Sequence, residues 1–178
     1  MDAATFRSVQ EPIRKRYRND AKAAFLTLRA KGTPDDSTVT GKVETGRGLA
    51  LAGIHPKGGG SGRELCSGDM LLEALIACAG VSMRAAAAVL EIPIKAAEVS
   101  AEGNVDFRGA MGISDNVPVG FEAIRLRFDL VTDAPQEKID QLIDLTERYC
   151  VVFQTLQKSP KTEVRFMTVP VARRSLED

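Results

Sequence analysis

The 178-residue sequence predicts a single α+β domain, a class that two features of the chain indicate. Segments with strand-like alternation and segments with helical spacing fall into separate blocks, in the order βββ-α-ββ-αα-β. One long apolar helix lies near the middle of the chain. Segregated strands and helices are typical of α+β folds, and a chain of this length can bury a substantial core.

The first block is predicted to be an antiparallel meander. A short basic helix over residues 8–18 precedes it, and a glycine-rich loop at 55–68 follows it. This loop lacks the GK[ST] ending of a phosphate-binding loop, which favours a connector. The predicted strands of the meander are 21–32, 37–46 and 47–55, the last two joined by a turn at residues 46–48.

The stretch "ELCSGDMLLEALIACAGVSMRAAAAVLE", residues 64–91, predicts the central helix. Ser67 and Asp69 suit its N-terminus, where side-chain oxygens cap free N–H groups and a negative charge meets the positive end of the dipole. Apolar and small residues recur at helical spacing through Cys78. Pro93 predicts a stop near residue 91 or 92, which gives a helix of roughly 33 Å.

The rest of the chain completes the pattern with alternating and helical segments. They are strands at 95–108 and 119–131, helices at 134–150 and 151–159, and a closing strand at 161–169. Residues 1–20 are predicted to be a basic, helical extension. The domain itself is expected to span 21–170, with a tail at 171–178.

Composition and charge favour a cytoplasmic protein without nucleic-acid or membrane partners. Lys+Arg and Asp+Glu are both 24, so there is no basic surplus to neutralise phosphates. No run of 18 apolar residues is free of charge, and the odd count of three cysteines suits a reducing compartment. The basic cluster "IRKRYR" is read as a solvated helix face in preference to a binding patch.

The cysteines are the main candidates for chemistry. Cys78 lies mid-helix and Cys150 lies between two predicted helices. Cysteines among apolar residues are most often inert core residues. A reactive thiol needs a nearby cation or a helix N-terminus, and its position gives Cys78 no dipole of its own. The single histidine, His55, has no G-x-S-x-G elbow to work with, and no C-x-x-C pair anchors a zinc site.

Two motifs carry a resemblance to a known family. "CSGDMLLEALIACAGVSM" together with "TERYCVVFQTL" resembles the OsmC/Ohr family of osmotically inducible and organic hydroperoxide resistance proteins. The resemblance covers roughly residues 20 to 170. It implies an OsmC-like fold, with antiparallel sheets around a long central helix, and an intertwined homodimer with active sites at the subunit interface.

The resemblance also implies a thiol-dependent peroxidase that acts in oxidative-stress defence on organic hydroperoxides. Cys78 would attack the O–O bond and become a sulfenic acid, and Cys150 would resolve it as a disulfide. An external dithiol, on a reductant protein or a lipoyl group, would restore the thiols, with no bound cofactor or metal. Arg47 would polarise the peroxide, and the Asp69 carboxylate would hold the Arg47 side chain in place. Apolar pocket walls are expected from Leu71, Leu75 and Phe153.

Departures from the family pattern leave alternatives open. Gly68 stands where the family's peroxidases usually have Glu, and Val151 replaces the usual proline after the second cysteine. One alternative is a non-catalytic OsmC-like dimer that binds a small ligand. Another is a cysteine hydrolase that uses His55. Cys66, at the start of the helix, is either a structural thiol or an extra resolving thiol.

Overall fold

A computed structural model describes residues 3–24, 26–27, 31–34, 40–45 and 48–168. Short 3-10 turns cover Ala21–Ala24 and Pro56–Gly58. The α-helices and strands, in chain order, are α1 (Ala3–Asn19), β1 (Lys31–Pro34), β2 (Thr40–Thr45), β3 (Gly48–Gly53), β4 (Leu65–Cys66), α2 (Ser67–Leu90), β5 (Ala96–Val105), α3 (Phe107–Ala110), β6 (Phe121–Val131), α4 (Gln136–Tyr149) and α5 (Val151–Gln157).

The strands form two sheets. β1, β2 and β3 make the predicted antiparallel meander, and β4 adds to the edge of β3 in parallel, with Gly53 opposite Cys66. β5 and β6 form a long antiparallel pair. This pair confirms the strands predicted at 95–108 and 119–131, because alternating apolar residues give each strand one face to bury.

α2 packs against β5 on one side and against α4 and α5 on the other. Leu75, Ala79 and Met83 recur every fourth residue of α2 and are at most 2% exposed. Leu142 of α4 is fully buried against Met83 and its neighbours, while Cys150 packs on Leu75 and Ala79. Each fully buried Leu or Met side chain contributes about 1.5–3 kcal/mol, so this seam holds the helices together.

The two ends of α2 differ. At the start, Cys66 occupies the N-cap position without a side-chain cap bond, so neither Ser67 nor Asp69 fills the N-cap. At the end, the predicted stop is confirmed, since Glu91 adopts a left-handed conformation with φ 58°. Arg7 of α1 donates to the Val89 carbonyl at 3.2 Å and to Glu91 at 3.0 Å, which fastens α1 to this end.

One long side of α2 stays uncovered in the single chain. Val81 is 73% exposed and Leu71 is 37% exposed. Among the described helices, α2 alone is long and apolar enough to cross a membrane by length and composition, a test that core helices of globular proteins also meet. Its contacts with β5, α4 and α5 are those of a core helix.

The strand predicted at 21–32 is wrong over its first part. Residues 21–24 form a 3-10 turn, in which the Asp20 side chain accepts from the backbone N–H of Lys22 at 3.0 Å and the Asp20 carbonyl accepts from that of Ala23 at 3.1 Å. Asp side chains stabilise such turns in competition with extended structure. Residues 25 and 28–30 lie outside the described part of the chain, and the strand itself begins at Lys31.

The predicted closing strand, 161–169, is also wrong wherever the structure describes it. Residues 161–168 follow an irregular path, and residue 169 lies outside the described part. Val164, Phe166 and Met167 are 87–90% exposed. Apolar alternation makes a strand only where a sheet edge pairs with it, and no described edge of this chain does so.

Two loops carry structure that the sequence did not predict. The glycine-rich loop contains a 3-10 turn and β4. In the loop after β5, Asp106 accepts from the backbone N–H of Arg108 at 2.9 Å and starts α3. Side-chain capping of this kind depends on one residue and leaves little periodic signal.

Candidate active site

The fold brings together the two cysteines that the sequence singled out. Cys78 lies at the centre of α2, half-buried, and Cys150 lies at the break between α4 and α5, 1% exposed. Cys150 has an extended conformation that ends α4, and α5 begins at the next residue. The two thiols are hydrogen-bonded to each other, and all three cysteines of the chain are free.

Four donors surround the sulfur of Cys78. Burial raises the pKa of this thiol, but hydrogen bonds from the backbone N–H of Val152, the thiol of Cys150, the N–H of Val151 and the hydroxyl of Ser82 outweigh it. The net effect is a pKa below the usual 9.0. Hydrogen bonds to the charged form favour that form, so the site stabilises a thiolate at Cys78.

The pKa of the Cys150 thiol is shifted in the opposite direction, upward. Burial raises the pKa of its thiol first, and the hydrogen bond it gives to Cys78 together with the negative charge of that neighbour raises it further. The N–H groups of Phe153 and Val152 offset only part of this. The opposite directions of the two pKa shifts therefore favour the thiolate at Cys78 and the protonated thiol at Cys150.

Sequence reasoning missed the backbone donors. Because Cys78 lies mid-helix, its own helix gives no dipole, and the N–H groups come from the first turn of α5 instead. These groups have no partner within α5, as at any helix N-terminus. The signal in the sequence is the helix break within "RYCVV", but only the fold shows that this break faces Cys78.

A cleft of about 500 Å³ lies between α2, β6 and α5. Leu71, Leu75 and Phe153, predicted as pocket walls, all line it. Its apolar lining comes from α2, β6 and α5, and consists of Leu71, Leu75, Phe121, Ala123, Ile124, Leu126, Phe153 and Leu156. Leu75 and Phe153 also pack in the cluster that contains Cys78 and Cys150, so the cleft and the thiols share these two side chains, while neither sulfur lines the cleft.

The other predicted site residues are placed as follows. Arg47 lies outside the described residues. Asp69 is exposed in the first turn of α2, nine residues and about 13 Å along the helix from Cys78. A carboxylate there reaches Cys78 only through an intermediate group. At Gly68, an added Cβ would meet Phe121 at 3.5 Å, an ordinary contact, so packing does not exclude a side chain there.

Cys66 and His55 are both remote from this chemistry. Cys66 precedes Cys78 by twelve residues, about 18 Å of α2, whereas disulfide Cα atoms lie within about 7 Å. Cys66 therefore cannot resolve Cys78 of the same folded chain. The ring of His55 packs on Phe107 at 5.4 Å, and its Nδ1 accepts from the N–H of Lys57. Within the described residues, no group of His, Cys, Asp and Glu is placed to hold a metal ion.

The family model for OsmC-like protein matches residues 59–165, the part of the chain that holds both cysteines and the cleft. The chain belongs to the OsmC-like family. This confirms the family assignment, and solved structures of OsmC-like proteins confirm the fold. No curated protein sequence matches the chain.

Three solved structures illustrate the likeness. An OsmC-like protein from Mycoplasma pneumoniae is 16% identical, with TM-score 0.64, over 75% of this chain and 89% of that chain. An organic hydroperoxide resistance protein OsmC from Legionella pneumophila is 19% identical, with TM-score 0.58, over 75% and 91%. An organic hydroperoxide resistance protein from Elizabethkingia anophelis is 14% identical, with TM-score 0.59, over 75% and 91%.

Proposed function

We propose that this OsmC-like protein is a thiol-dependent peroxidase that reduces organic hydroperoxides in oxidative-stress defence. The observation that carries the proposal is the paired environment of the two sulfurs. Cys78 accepts hydrogen bonds that favour a thiolate, and its neighbour Cys150 keeps a proton to donate. The similarity to proteins described as organic hydroperoxide resistance proteins supports the substrate class.

In the first step, the Cys78 thiolate attacks the terminal oxygen of the hydroperoxide. An S–O bond forms, the O–O bond breaks, and the departing alkoxide takes the proton of Cys150 and leaves as an alcohol. Cys78 becomes a sulfenic acid and Cys150 becomes a thiolate. The same hydrogen bond that lowers the pKa of Cys78 thus places the acid beside the leaving group.

In the second step, the Cys150 thiolate attacks the sulfur of the sulfenic acid. A disulfide forms, and hydroxide leaves and is protonated to water. An external dithiol, on a reductant protein or a lipoyl group, then reduces the disulfide by two exchange reactions. No bound cofactor takes part in this scheme. Arg47, held by Asp69, is proposed to orient the peroxide for the first step.

The proposed working form is a cytoplasmic homodimer without nucleic-acid or membrane partners. Support comes from apolar side chains that the single chain leaves uncovered on α2 and in residues 159–168, such as Val81 at 73% and Phe166 at 89% exposure. Large exposed apolar patches mark interaction surfaces. The even charge balance, with 24 basic and 24 acidic residues, supports the absence of a polyanionic partner.

A non-reducing peptide map tests the proposal. The fully reduced protein is mixed with one equivalent of cumene hydroperoxide, quenched with an alkylating agent and digested. Trypsin leaves Cys66 and Cys78 in one peptide, 64–84, and Cys150 in another, 149–158. A second cleavage after Glu73 separates the first two cysteines. We expect a rapid, stoichiometric link between Cys78 and Cys150.

Three variants sharpen this experiment. Cys66→Ser is the matched control and should keep full turnover, since α2 holds Cys66 about 18 Å away. Cys78→Ser should abolish turnover, and Cys150→Ser should leave a Cys78 sulfenic acid that a dimedone probe traps. Both thiols still free after minutes would refute the peroxidase and leave a small-ligand-binding dimer as the function to pursue.

A further inference from the structure

The cleft beside the thiols has charge at only one place. Of the described side chains that line it, Glu122 is the sole ionisable one, and the walls are otherwise mainly aliphatic or aromatic. Glu122 is exposed at the surface. A ligand in this cleft therefore meets apolar walls and a single negative charge.

Strand geometry explains why Glu122 reaches the cleft. Ala123 pairs with Asn104 and Phe121 pairs with Val105, so Glu122 is an extra residue in a β-bulge of β6. At the period-two alternation of a strand, Glu122 shares the face of Ile124 and Leu126, which line the cleft. The bulge leaves Glu122 without a partner residue on β5.

Glu122 lies at the end of the cleft far from the thiols. Its neighbour Phe121 is close to Gly68, since a Cβ added at Gly68 would lie 3.5 Å from the Phe121 ring. Gly68 precedes Cys78 by ten residues, or about 15 Å of helix. A ligand with its reactive group at Cys78 and an extended tail along Leu71 places the end of that tail near Glu122.

Nearby described cations are already committed to other carboxylates. Arg108 donates from its side chain to both carboxylate oxygens of Asp106. The negative charge of Glu122 contributes to the raised pKa of Arg108. Arg125 donates to Glu102 at 2.6 Å and to Asn104 at 2.6 Å. Among the described side chains, Glu122 therefore leaves one negative charge at the far end of the cleft that these cations do not pair.

We propose that Glu122 makes the cleft selective for hydroperoxides with an uncharged tail, such as alkyl and acyl-ester hydroperoxides, over those that end in a carboxylate. The inference rests on the proposed function and specifies its substrate class. Apolar walls bind both kinds of tail, whereas the charge at the far end repels only the acid. Glu122 thus acts on the tail and leaves the reacting atoms untouched.

The test compares linoleic acid hydroperoxide with its methyl ester, which differ only in the charge of the head group. For the unmodified protein we expect kcat/KM for the ester to exceed that for the acid by about threefold to fivefold, the range of an exposed charge pair. Glu122→Gln should bring the ratio to about one, and Glu122→Lys should invert it. Added salt of about 0.5 M should shrink the ratio in the unmodified protein, because the head group is exposed.

Glu137→Gln is the matched control. Glu137 is an exposed acid at the start of α4, beyond the opposite end of β6, and its replacement should leave the ratio unchanged. A ratio that stays constant across the Glu122 variants while cumene hydroperoxide is still reduced would overturn the inference and leave the peroxidase standing.

Equilibrium dialysis makes the test independent of turnover. Octanoate and methyl octanoate are measured with the Cys78→Ser protein, with and without Glu122→Gln. The ester should bind more tightly only where Glu122 is present. If the two ligands bind equally well in both proteins, the charge selection is contradicted, whether or not the chain reduces hydroperoxides. Absence of hydroperoxide reduction alone would refute only the peroxidase.

Discussion

The hydrogen bond between Cys78 and Cys150 couples the protonation of the two sulfurs. The pKa of Cys78 is lowered and that of Cys150 is raised, which favours a thiolate next to a protonated thiol. Neither residue would gain this from its own helix alone. Ser82, one turn after Cys78, adds a hydroxyl donor from the same helix.

Replacing Ser82 tests this electrostatic account. In Ser82→Ala the Cys78 thiolate loses one donor, so its pKa rises and the rate of alkylation by iodoacetamide at neutral pH should fall by about twofold to tenfold. In the unmodified protein, the alkylation of Cys78 should follow a titration with its midpoint below 9.0. In the variant, that midpoint should move up.

Ser67→Ala is the control for this measurement, because Ser67 is exposed at the far end of α2. Its profile should match that of the unmodified protein. An unchanged Ser82→Ala profile would show that the hydroxyl does not reach the sulfur in solution.

At this scale the sequence singled out, through motif resemblance, two thiols that the fold brings into one cluster, and it predicted three residues that line the cleft. Leu71 and Leu75 follow from helical spacing with Cys78 on one face of α2. The donors at Val151 and Val152 are backbone N–H groups, which any residue except proline supplies, so no side chain in the sequence indicates them. Asp69 and Arg47 remain predictions.

At the scale of elements, strong periodicity gave the reliable predictions. α2, α4 and the β5–β6 pair were found within a few residues of their predicted bounds, because each buries one face of its own. The failures are segments whose conformation depends on a neighbour or on one side chain. The irregular path of 161–168 and the turn at Ala21–Ala24 illustrate the two cases.

The C-terminal cap of α2 allows a prediction about stability. Glu91 holds a left-handed conformation that glycine adopts without steric cost, so Glu91→Gly should be more stable than Glu91→Gln by about 1 kcal/mol in urea unfolding. Both variants lose the exposed ion pair with Arg7, which removes that pair from the comparison. A Glu91→Gln protein as stable as Glu91→Gly would mean that the cap conformation is relaxed in solution.

At the scale of the whole molecule, the exposed apolar surface sets the main expectation. A chain that folds alone rarely leaves the centre of its longest apolar helix in water. Sequence composition cannot reveal this, because the same apolar residues would be counted whether a neighbouring element or a second copy covers them. The fold class was predictable, whereas the uncovered side of α2 needed the three-dimensional packing.

Val81→Lys tests the proposed dimer. By sedimentation equilibrium, the unmodified protein should have twice the 19.2 kDa mass of one chain. A lysine at this position should weaken the dimer by at least about tenfold, because it buries a charge in an apolar contact.

Ile113→Lys provides the comparison, since Ile113 is 67% exposed but lies in the loop before β6. It should leave the mass unchanged. A Val81→Lys protein that dimerises as tightly as the unmodified one would place the subunit contact elsewhere.

Cys66, the N-cap residue of α2, lies at a fixed distance from Cys78 because the helix between them is rigid. Twelve residues of rigid helix hold Cys66 and Cys78 too far apart for a bond within one folded chain. A disulfide between these two cysteines in folded protein can therefore arise only between separate chains. The disulfide partner found for the peptide that carries Cys66 and Cys78 therefore identifies the reaction. A Cys66–Cys78 bond indicates a covalent link between two subunits, and a Cys78–Cys150 bond indicates the proposed chemistry at one site.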